Sequence, residues 1–391
     1  MKTLKVKNLG PIGNAEVNFG DLTLFVGPQA SGKSILLQLI KLIVDHRHIR
    51  RTLEQYGFIW GNDEYDILER YFGEGMGGIW HKQTEVTFDK KAYPITHLLP
   101  RKRVSIKDVQ ETLFYIPAQR VVCLQNGWPR FFTEYEGSVP YVLRHFSETL
   151  RQELERGFGK NKETDTIFPQ TKRLKESLRK SFNDSIFHDA KIVIDKTSKK
   201  RFKLELGGSS IPFMAWSAGQ KEFMPLLLSF YWLCPGSAVS RKDSIEYVII
   251  EEPEMGLHPQ AITSILLQVI DLMNRGYKVI ISTHSPVLLE FAWAVQILQQ
   301  QKAGAKELAE LFELKQLTPA LKDMFTNILE NKLFKTYSFN RTSSKVNVKD
   351  ISSLDAGSSD PSTSEWGGLS SFSTKASDII LKVANNEEQQ D

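Results

Sequence analysis

The sequence predicts an α/β fold, with a mostly parallel core sheet, antiparallel strands at its amino end and a largely helical lobe inserted into the core. Three observations carry this expectation. A glycine-rich octapeptide, Gly27–Ser34, stands between an apolar strand and an amphipathic helix. Two further apolar runs, Tyr247–Ile250 and Lys278–Ser282, are separated by a helical pattern over Pro259–Asn274. Strands without polar alternation belong to a parallel sheet covered on both faces, because a half-exposed strand would alternate.

The first block, 1–51, reads as strands Thr3–Val6 and Ala15–Phe19 around a turn at Gly10–Gly13, then a buried strand Leu22–Val26. The helix after Gly32 places Ile35, Leu36, Leu39, Ile40 and Ile43 on one face and is expected to end in the charged run Asp45–Arg51. Residues 52–210 lose the strand-helix rhythm. Strands are expected at Glu85–Phe88 and Thr112–Ile116, helices at Val139–Arg156 and Gln170–Phe182, and a hairpin at Lys191–Asp195 with Arg201–Leu206. Residues 211–333 return to the core pattern, with an apolar helix after Gly219 and helical segments to Leu333. Residues 334–391 read as a polar, partly flexible carboxyl-terminal segment. Ser, Gly and Asp dominate Ser352–Ser373, with a small ordered end around Trp366–Val383. No internal repeat is found.

Composition bounds the class. Of 391 residues 41% are hydrophobic and 25% charged, the range of soluble globular proteins. The longest apolar runs, such as Pro225–Cys234, fall short of the roughly 18 to 20 residues that span a bilayer. The amino terminus lacks an apolar h-region, so a cytoplasmic location is expected, with no membrane partner. Two cysteines, Cys123 and Cys234, lack any zinc spacing and read as inert packing residues in a reducing compartment. A net charge of +4 implies no nucleic acid by itself. Basic clusters at Arg47–Arg51, Arg101–Arg103, Lys172–Lys180 and Lys196–Lys203 leave nucleic acid open as a partner, with solvated surface the blander reading.

Four motifs carry chemistry. Gly27-Pro28-Gln29-Ala30-Ser31-Gly32-Lys33-Ser34 fills the phosphate-binding pattern GxxxxGK[ST] in the required strand-to-helix context. Its glycines let successive N–H groups point at a β-phosphate, which also meets the positive end of the following helix. Lys33 is expected to reach the β- and γ-phosphates, and Ser34 to ligate Mg²⁺. Tyr247–Ile250 then ends in Glu251-Glu252-Pro253-Glu254 at the carboxyl edge of the expected sheet. Glu251 is expected to hold Mg²⁺, and Glu252 to act as general base on the attacking water. Third, Trp216-Ser217-Ala218-Gly219-Gln220 lies directly ahead of the apolar helix that precedes the Glu251 strand, and offers an anion-binding helix start. Fourth, the next apolar strand after Glu252 ends at His284, and the histidine is read as a γ-phosphate contact.

These motifs, in this order, resemble the ATPase heads of the ABC and SMC/RecF families. They are more similar still to stand-alone AAA-type ATP-binding proteins related to the ATPase part of overcoming-lysogenization-defect nucleases. The resemblance covers roughly 1–50 and 210–300. It implies an ABC/RecF-like head that binds ATP with Mg²⁺ and hydrolyses it. Its signature, here Ser217, Ala218, Gly219 and Gln220 after Trp216, binds the γ-phosphate of a nucleotide held by the opposite subunit. A homodimer, or a higher assembly of dimers, follows from that. The family pattern at the strand end is Asp-Glu, whereas this chain has Glu251-Glu252, a longer side chain at the metal position. Leu257-His258-Pro259 resembles the D-loop behind it, and His284 the switch histidine. The resemblance also implies a glutamine loop at the γ-phosphate and its metal. Gln119, in Tyr115–Arg120, is the candidate, with Gln125 its competitor and a plain structural loop the third reading.

The leading functional expectation is a dimeric ATP-driven switch or scaffold for a separate effector, such as a nuclease or toxin, in bacterial anti-phage defence. A RecF-like DNA-repair clamp is the alternative, although no sustained heptad run supplies SMC-type arms. A transporter's nucleotide-binding subunit fits less well, because the stretch between Ser34 and Ser217 is longer than expected for that class. Asp350, Asp355 and Asp360 sit in solvated, Ser/Gly-rich sequence and do not read as a nuclease centre.

Overall fold

The computed structural model describes residues 1–100, 109–157, 166–171, 173–197, 199–235, 241–342 and 344–387. The chain opens with β1 (Thr3–Leu9), β2 (Ile12–Asn18), β3 (Leu22–Val26), α1 (Lys33–Gln55), α2 (Glu64–Phe72), β4 (Trp80–Phe88), β5 (Lys91–Ala92) and β6 (Leu113–Ile116). A small hairpin, β7 (Leu124–Gln125) and β8 (Trp128–Pro129), leads to α3 (Tyr141–Arg156), β9 (Thr166–Phe168), α4 (Glu176–Phe182), β10 (Lys191–Asp195), β11 (Arg201–Leu206) and β12 (Ser209–Pro212). Then come α5 (Ala218–Leu233), β13 (Tyr247–Glu251), α6 (Pro259–Asn274), β14 (Lys278–Thr283), α7 (Pro286–Gln300), α8 (Ala305–Leu311) and α9 (Pro319–Asn331). The last elements are β15 (Phe334–Thr342), β16 (Lys345–Asp350), α10 (Pro361–Ser364) and α11 (Ser371–Glu387).

A ten-stranded sheet in the order β5-β4-β1-β2-β16-β15-β3-β14-β13-β6 organises the molecule. Its β15-β3-β14-β13-β6 half is parallel, whereas β1 pairs antiparallel with both β2 and β4. The expected mixture of parallel core and amino-terminal antiparallel strands is therefore what forms. Strands β3, β13 and β14 are mostly apolar because both faces are covered. Leu22, Leu24 and Val26 of β3 join one core with α5, α6, α7 and α9, while Phe25 joins a second core with α1. β9 to β12 form a separate antiparallel sheet beside α5, enlarging the predicted hairpin.

The segment after Leu333 differs from the polar tail expected. β15 inserts next to the glycine-loop strand, pairing Phe334–Ser338 with Leu22–Val26, and β16 bridges it to β2. Tyr337 and Phe339 are fully buried against Phe25, so alternation in this segment marked a strand. The Ser/Gly-rich stretch also packs: Trp366 Nε1 donates to the Leu354 carbonyl at 3.1 Å, and a Cβ on Gly367 would meet Val26 at 2.8 Å. Nor is the lobe at 52–210 separate from the core sheet, to which it gives β4, β5 and β6.

Helix α1 runs through Asp45–Arg51 with a kink at Asp45 (φ −119°). There the Asp45 carboxylate accepts from Lys41 Nζ at 2.7 Å and from the Thr112 and Leu113 N–H groups at 3.0 Å, anchoring the start of β6. His48, Glu111 and His145 bring three donors within 4.8 Å of one another. Glu111 Oε1, however, already lies 2.7 Å from the fully buried Lys41 ammonium, so this cluster carries its own cation.

Both cysteines are buried and unbridged; burial pushes the Cys234 thiol up to about 12 and Cys123 higher still. No helix among the described residues is long and apolar enough to cross a membrane. Of the basic clusters, Arg101–Arg103 lies outside the described residues, and Arg50, Lys175, Arg201 and Lys203 are engaged in ion pairs with Glu54, Asp271 and Asp195.

Candidate active site

Four parallel strands, β6, β13, β14 and β3, end along one edge of the sheet, and this brings together the glycine loop, the Glu251–Glu254 turn and His284, but not the Ser217 motif. Gly27 leaves β3 at φ +141°, where a Cβ would stand 2.7 Å from the Phe339 carbonyl of β15. Only glycine fits that seat. Pro28, Gln29 and Ala30 are exposed, Ala30 has φ +55°, and Gly32 at φ +86° lets α1 start against Pro11 and Ile12. Ser31 Oγ donates to the Pro28 carbonyl at 2.7 Å. Lys33 Nζ donates to the Gly27 and Pro28 carbonyls at 2.8 and 2.9 Å. Burial pulls this ammonium down to about 8, against the opposing pull of Glu252, Glu254 and Glu251.

The acids sort by environment. Glu251, the last residue of β13, is buried; its Oε2 accepts from Ala118 N–H at 3.3 Å, while Oε1 is buried with no hydrogen-bond partner. Burial pushes its carboxyl up, and the neighbouring Ser34 hydroxyl acts against that. A buried, orphaned carboxylate oxygen beside an exposed hydroxyl fits a small hard cation such as Mg²⁺, which takes oxygen ligands and neutralises the charge that burial penalises. Glu252 turns out of the strand at φ +43°, with its N–H on the Ser282 carbonyl at 2.8 Å. Its Oε1 lies 3.6 Å from His284 Nε2, and the imidazole holds the carboxyl below the usual range, against burial. The Lys33, Ser34, Glu251, Glu252 and His284 side chains thus share one place.

The predicted Ser217 turn is built as a helix start. Ser217 Oγ accepts from Gln220 N–H at 3.2 Å, and the Gln220 side chain returns the bond to Ser217 N–H at 3.2 Å, a reciprocal cap for α5. Trp216 is buried, with Nε1 on the Ile211 carbonyl at 3.1 Å, while Ser217 and Ala218 are exposed. Among the described residues no hydrogen bond or ion pair joins Ser217–Gln220 to Gly27–Ser34. The first turn of α5 instead meets the turn beyond Glu252, where a Cβ on Gly219 would lie 2.9 Å from the Gly256 carbonyl.

Gln119 follows β6 and is exposed, beside the Ala118 that contacts Glu251. Gln125 lies farther on, in the β7-β8 hairpin, and is also exposed. Two residues gain a place at the site that sequence reasoning had not given them. Glu254 Oε1 accepts from Thr283 Oγ1 at 2.7 Å and from His284 N–H at 2.6 Å, so it fixes the turn bearing the histidine. Arg120 is fully buried beneath the Glu251–Pro253 backbone. The Glu-Glu-Pro-Glu string flags Glu254 as an acid near the site, but nothing local pairs it with a strand end on the far side of α6.

A family model described as "AAA domain, putative AbiEii toxin, Type IV TA system" matches residues 130–290. That span holds the Ser217 turn, Glu251, Glu252 and His284; the glycine loop precedes it. The chain is similar to the Old nuclease of Escherichia phage P2, 35% identical over 94 residues, which is 22% of this chain and only 16% of the nuclease. Among solved structures it is similar to an SMC head bound to the C-winged helix domain of ScpA, with TM-score 0.40 and 9% identity over 89% of this chain and 96% of that one. It is also similar to the SMC head domain from Thermotoga maritima, with TM-score 0.36 and 11% identity over 89% and 98%. The family model and the Old nuclease stretch bear out the resemblance to AAA-type proteins related to Old nucleases.

Proposed function

We propose that this chain binds and hydrolyses ATP between two copies of itself, and serves as a switch or scaffold for a separate effector, such as a nuclease or toxin, in anti-phage defence. The observation that carries this reading is the division of the site. Lys33, Ser34, Glu251, Glu252 and His284 gather at one sheet edge, while the Ser217 helix start is exposed and unbonded to them. An exposed helix start, ready to accept an anion, gains its use when a second head presents its nucleotide.

In this reading the loop N–H groups of Gln29–Ser34 cradle the phosphates, and the Lys33 ammonium exchanges the Gly27 and Pro28 carbonyls for phosphate oxygens. Ser34 and Glu251 hold Mg²⁺, with Gln119 the candidate third contact; that ion supplies neutralisation of the phosphate charge. Glu252 takes the proton from the attacking water, and His284 faces the γ-phosphate. Differential affinity of the closed pair for ATP over ADP then makes hydrolysis a reopening step. The effector role draws on the toxin family and the Old nuclease, each similar to only part of this chain.

Solution mass tests it. Glu252→Gln with ATP and Mg²⁺ should double from 44.6 kDa, and Ser217→Arg should abolish the doubling while leaving ATP bound. A mass that ignores ATP would sink the composite site. An effector copurifying with the closed pair supports the scaffold role.

A further inference from the structure

At the candidate site three elements of different origin converge: the loop after β6, the acidic turn after β13 and the first turns of α5. One side chain touches all three. The Arg120 guanidinium, 0% exposed, donates through Nε to the Glu222 carbonyl of α5 at 3.1 Å. Nη1 reaches the carbonyls of Glu251 at 3.1 Å and Glu252 at 3.2 Å, with Ala118 at 3.4 Å, and Nη2 reaches Pro253 at 3.3 Å. Every acceptor is a main-chain carbonyl. Among the described residues no carboxylate lies within ion-pair distance; Glu222, Glu254 and Glu252 act on it only through the field.

That arrangement is costly, because burying a cation among dipoles alone forfeits hydration without a counter-ion. Burial accordingly lowers the guanidinium pKa. A packing role would be met more cheaply by an apolar chain. What arginine alone offers is a rigid planar fork of five donors. Here the fork grips consecutive carbonyls where Glu252 takes φ +43°, a left-handed conformation that a residue with a Cβ holds only when its surroundings impose it. The same fork ties that turn to α5, whose first residues are the Ser217–Gln220 cap.

We propose that Arg120 is a positioning residue that locks the Glu252 turn to α5, so that the general base is placed only while the signature helix is docked. The inference rests on the reading of Glu252 as base. Arg120 itself touches no nucleotide; it acts through the backbone of residues 251–253. Lysine cannot replace it, since a single ammonium with three donors cannot span carbonyls on three elements.

The experiment compares Arg120→Met and Arg120→Lys with the wild-type chain, measuring the Kd for a fluorescent ATP analogue, its binding stoichiometry, and kcat per bound site. Expected is a split: Kd within about threefold, because the glycine loop is untouched, and kcat lower by about thirtyfold or more. Arg120→Met in the Glu252→Gln background should also lose the ATP-dependent doubling of mass. A purely structural arginine would lower the stoichiometry and leave kcat per bound site unchanged, and that result overturns the proposal. So does a kcat at the wild-type level. Should both variants fail to fold, Gly256→Ala decides, since its Cβ would press the turn 3.2 Å from Glu222 Cγ at φ +72° and should give the same split. An unaltered kcat there overturns the proposal as well. If Glu252→Gln stays monomeric with ATP, the two-head reading fails, yet the split in Arg120→Met still judges the placement of Glu252. A wild-type chain without turnover would sink both.

Discussion

Glu254 and Glu252 stand two positions apart, and the proposed function gives them different work, anchor and general base, that mutation can separate. Glu254 Oε1 holds the His284 N–H at 2.6 Å and the Thr283 hydroxyl at 2.7 Å, and its Oε2 is buried without a partner. Burial pushes this carboxyl up, and what the geometry shows is an acceptor for two donors. Glu254→Gln keeps an oxygen acceptor of the same reach and should cost turnover no more than about fivefold, the difference between charge-assisted and neutral bonds being under about 1 kcal/mol here. Glu254→Ala removes the acceptor for two donors. Leaving a buried N–H unpaired costs about 1–3 kcal/mol, so kcat should fall by about tenfold to a hundredfold as the His284 turn relaxes. Glu252→Gln should reach background instead, because no amide accepts the water's proton. Steady-state phosphate release, with ATP affinity measured separately, reads all three. If Glu254→Gln falls to background with Glu252→Gln, the assignment of base and anchor is wrong. An Ala variant with wild-type turnover would remove the anchor altogether.

Truncation after Leu333 would be harmless if the remainder were a polar tail, but it removes β15 and β16 from mid-sheet; the shortened chain should be insoluble or bind no nucleotide, as gel filtration and an ATP-analogue titration would show. Lys41→Met leaves Asp45 and Glu111 buried beside each other without their cation and should destabilise by about 3–5 kcal/mol in urea titrations, whereas a loss under about 1 kcal/mol would contradict the pairing. His48, facing Glu111, His145, Lys41 and Arg51, is pushed down by burial from 6.5 to about 3. Below pH 6.5 the unfolded chain takes up this proton and the folded chain does not, so stability drops as pH falls through the window between these values. From pH 6.5 to 5 that is about 2 kcal/mol, and His48→Gln should flatten the urea-derived slope by about one proton.

Local signals carried the positions of the motif residues well and their distant contacts poorly. Gly27–Ser34, Glu251, Glu252 and His284 were legible because a strand end, a glycine loop and an apolar period are all read within a short window. The helix Pro259–Asn274 and strand Leu22–Val26 fall where periodicity puts them. Alternation over Phe334–Thr342 was equally present, but a following run of Ser, Gly and Asp made the whole segment read as solvated. Composition averaged over such a stretch hides a strand whose outward-looking polar residues, Thr336 and Ser338, are in fact buried between sheet neighbours. Asp45 misled in the same way, since a charge run reads as a helix end unless its backbone partners, Thr112 and Leu113, are known.

The same blindness to distant pairing explains why the site's own supports were missed, and it bears on how the site comes to exist. Gly27 is seated against Phe339 and the turn of His284 against Glu254, contacts that close long loops for a loop built at the amino end. Loop-closure entropy is spent before such contacts return anything, so the seat of the glycine loop is complete only once β15 lies beside β3. Arg120 has the same character, for four of its five carbonyls flank the long excursion that separates β6 from β13 and the fifth, Glu222, lies within it. On the proposed reading, phosphate recognition would be local in sequence but conditional on the whole sheet, and a nucleotide bound to the finished loop would stabilise strands that lie far along the chain from it.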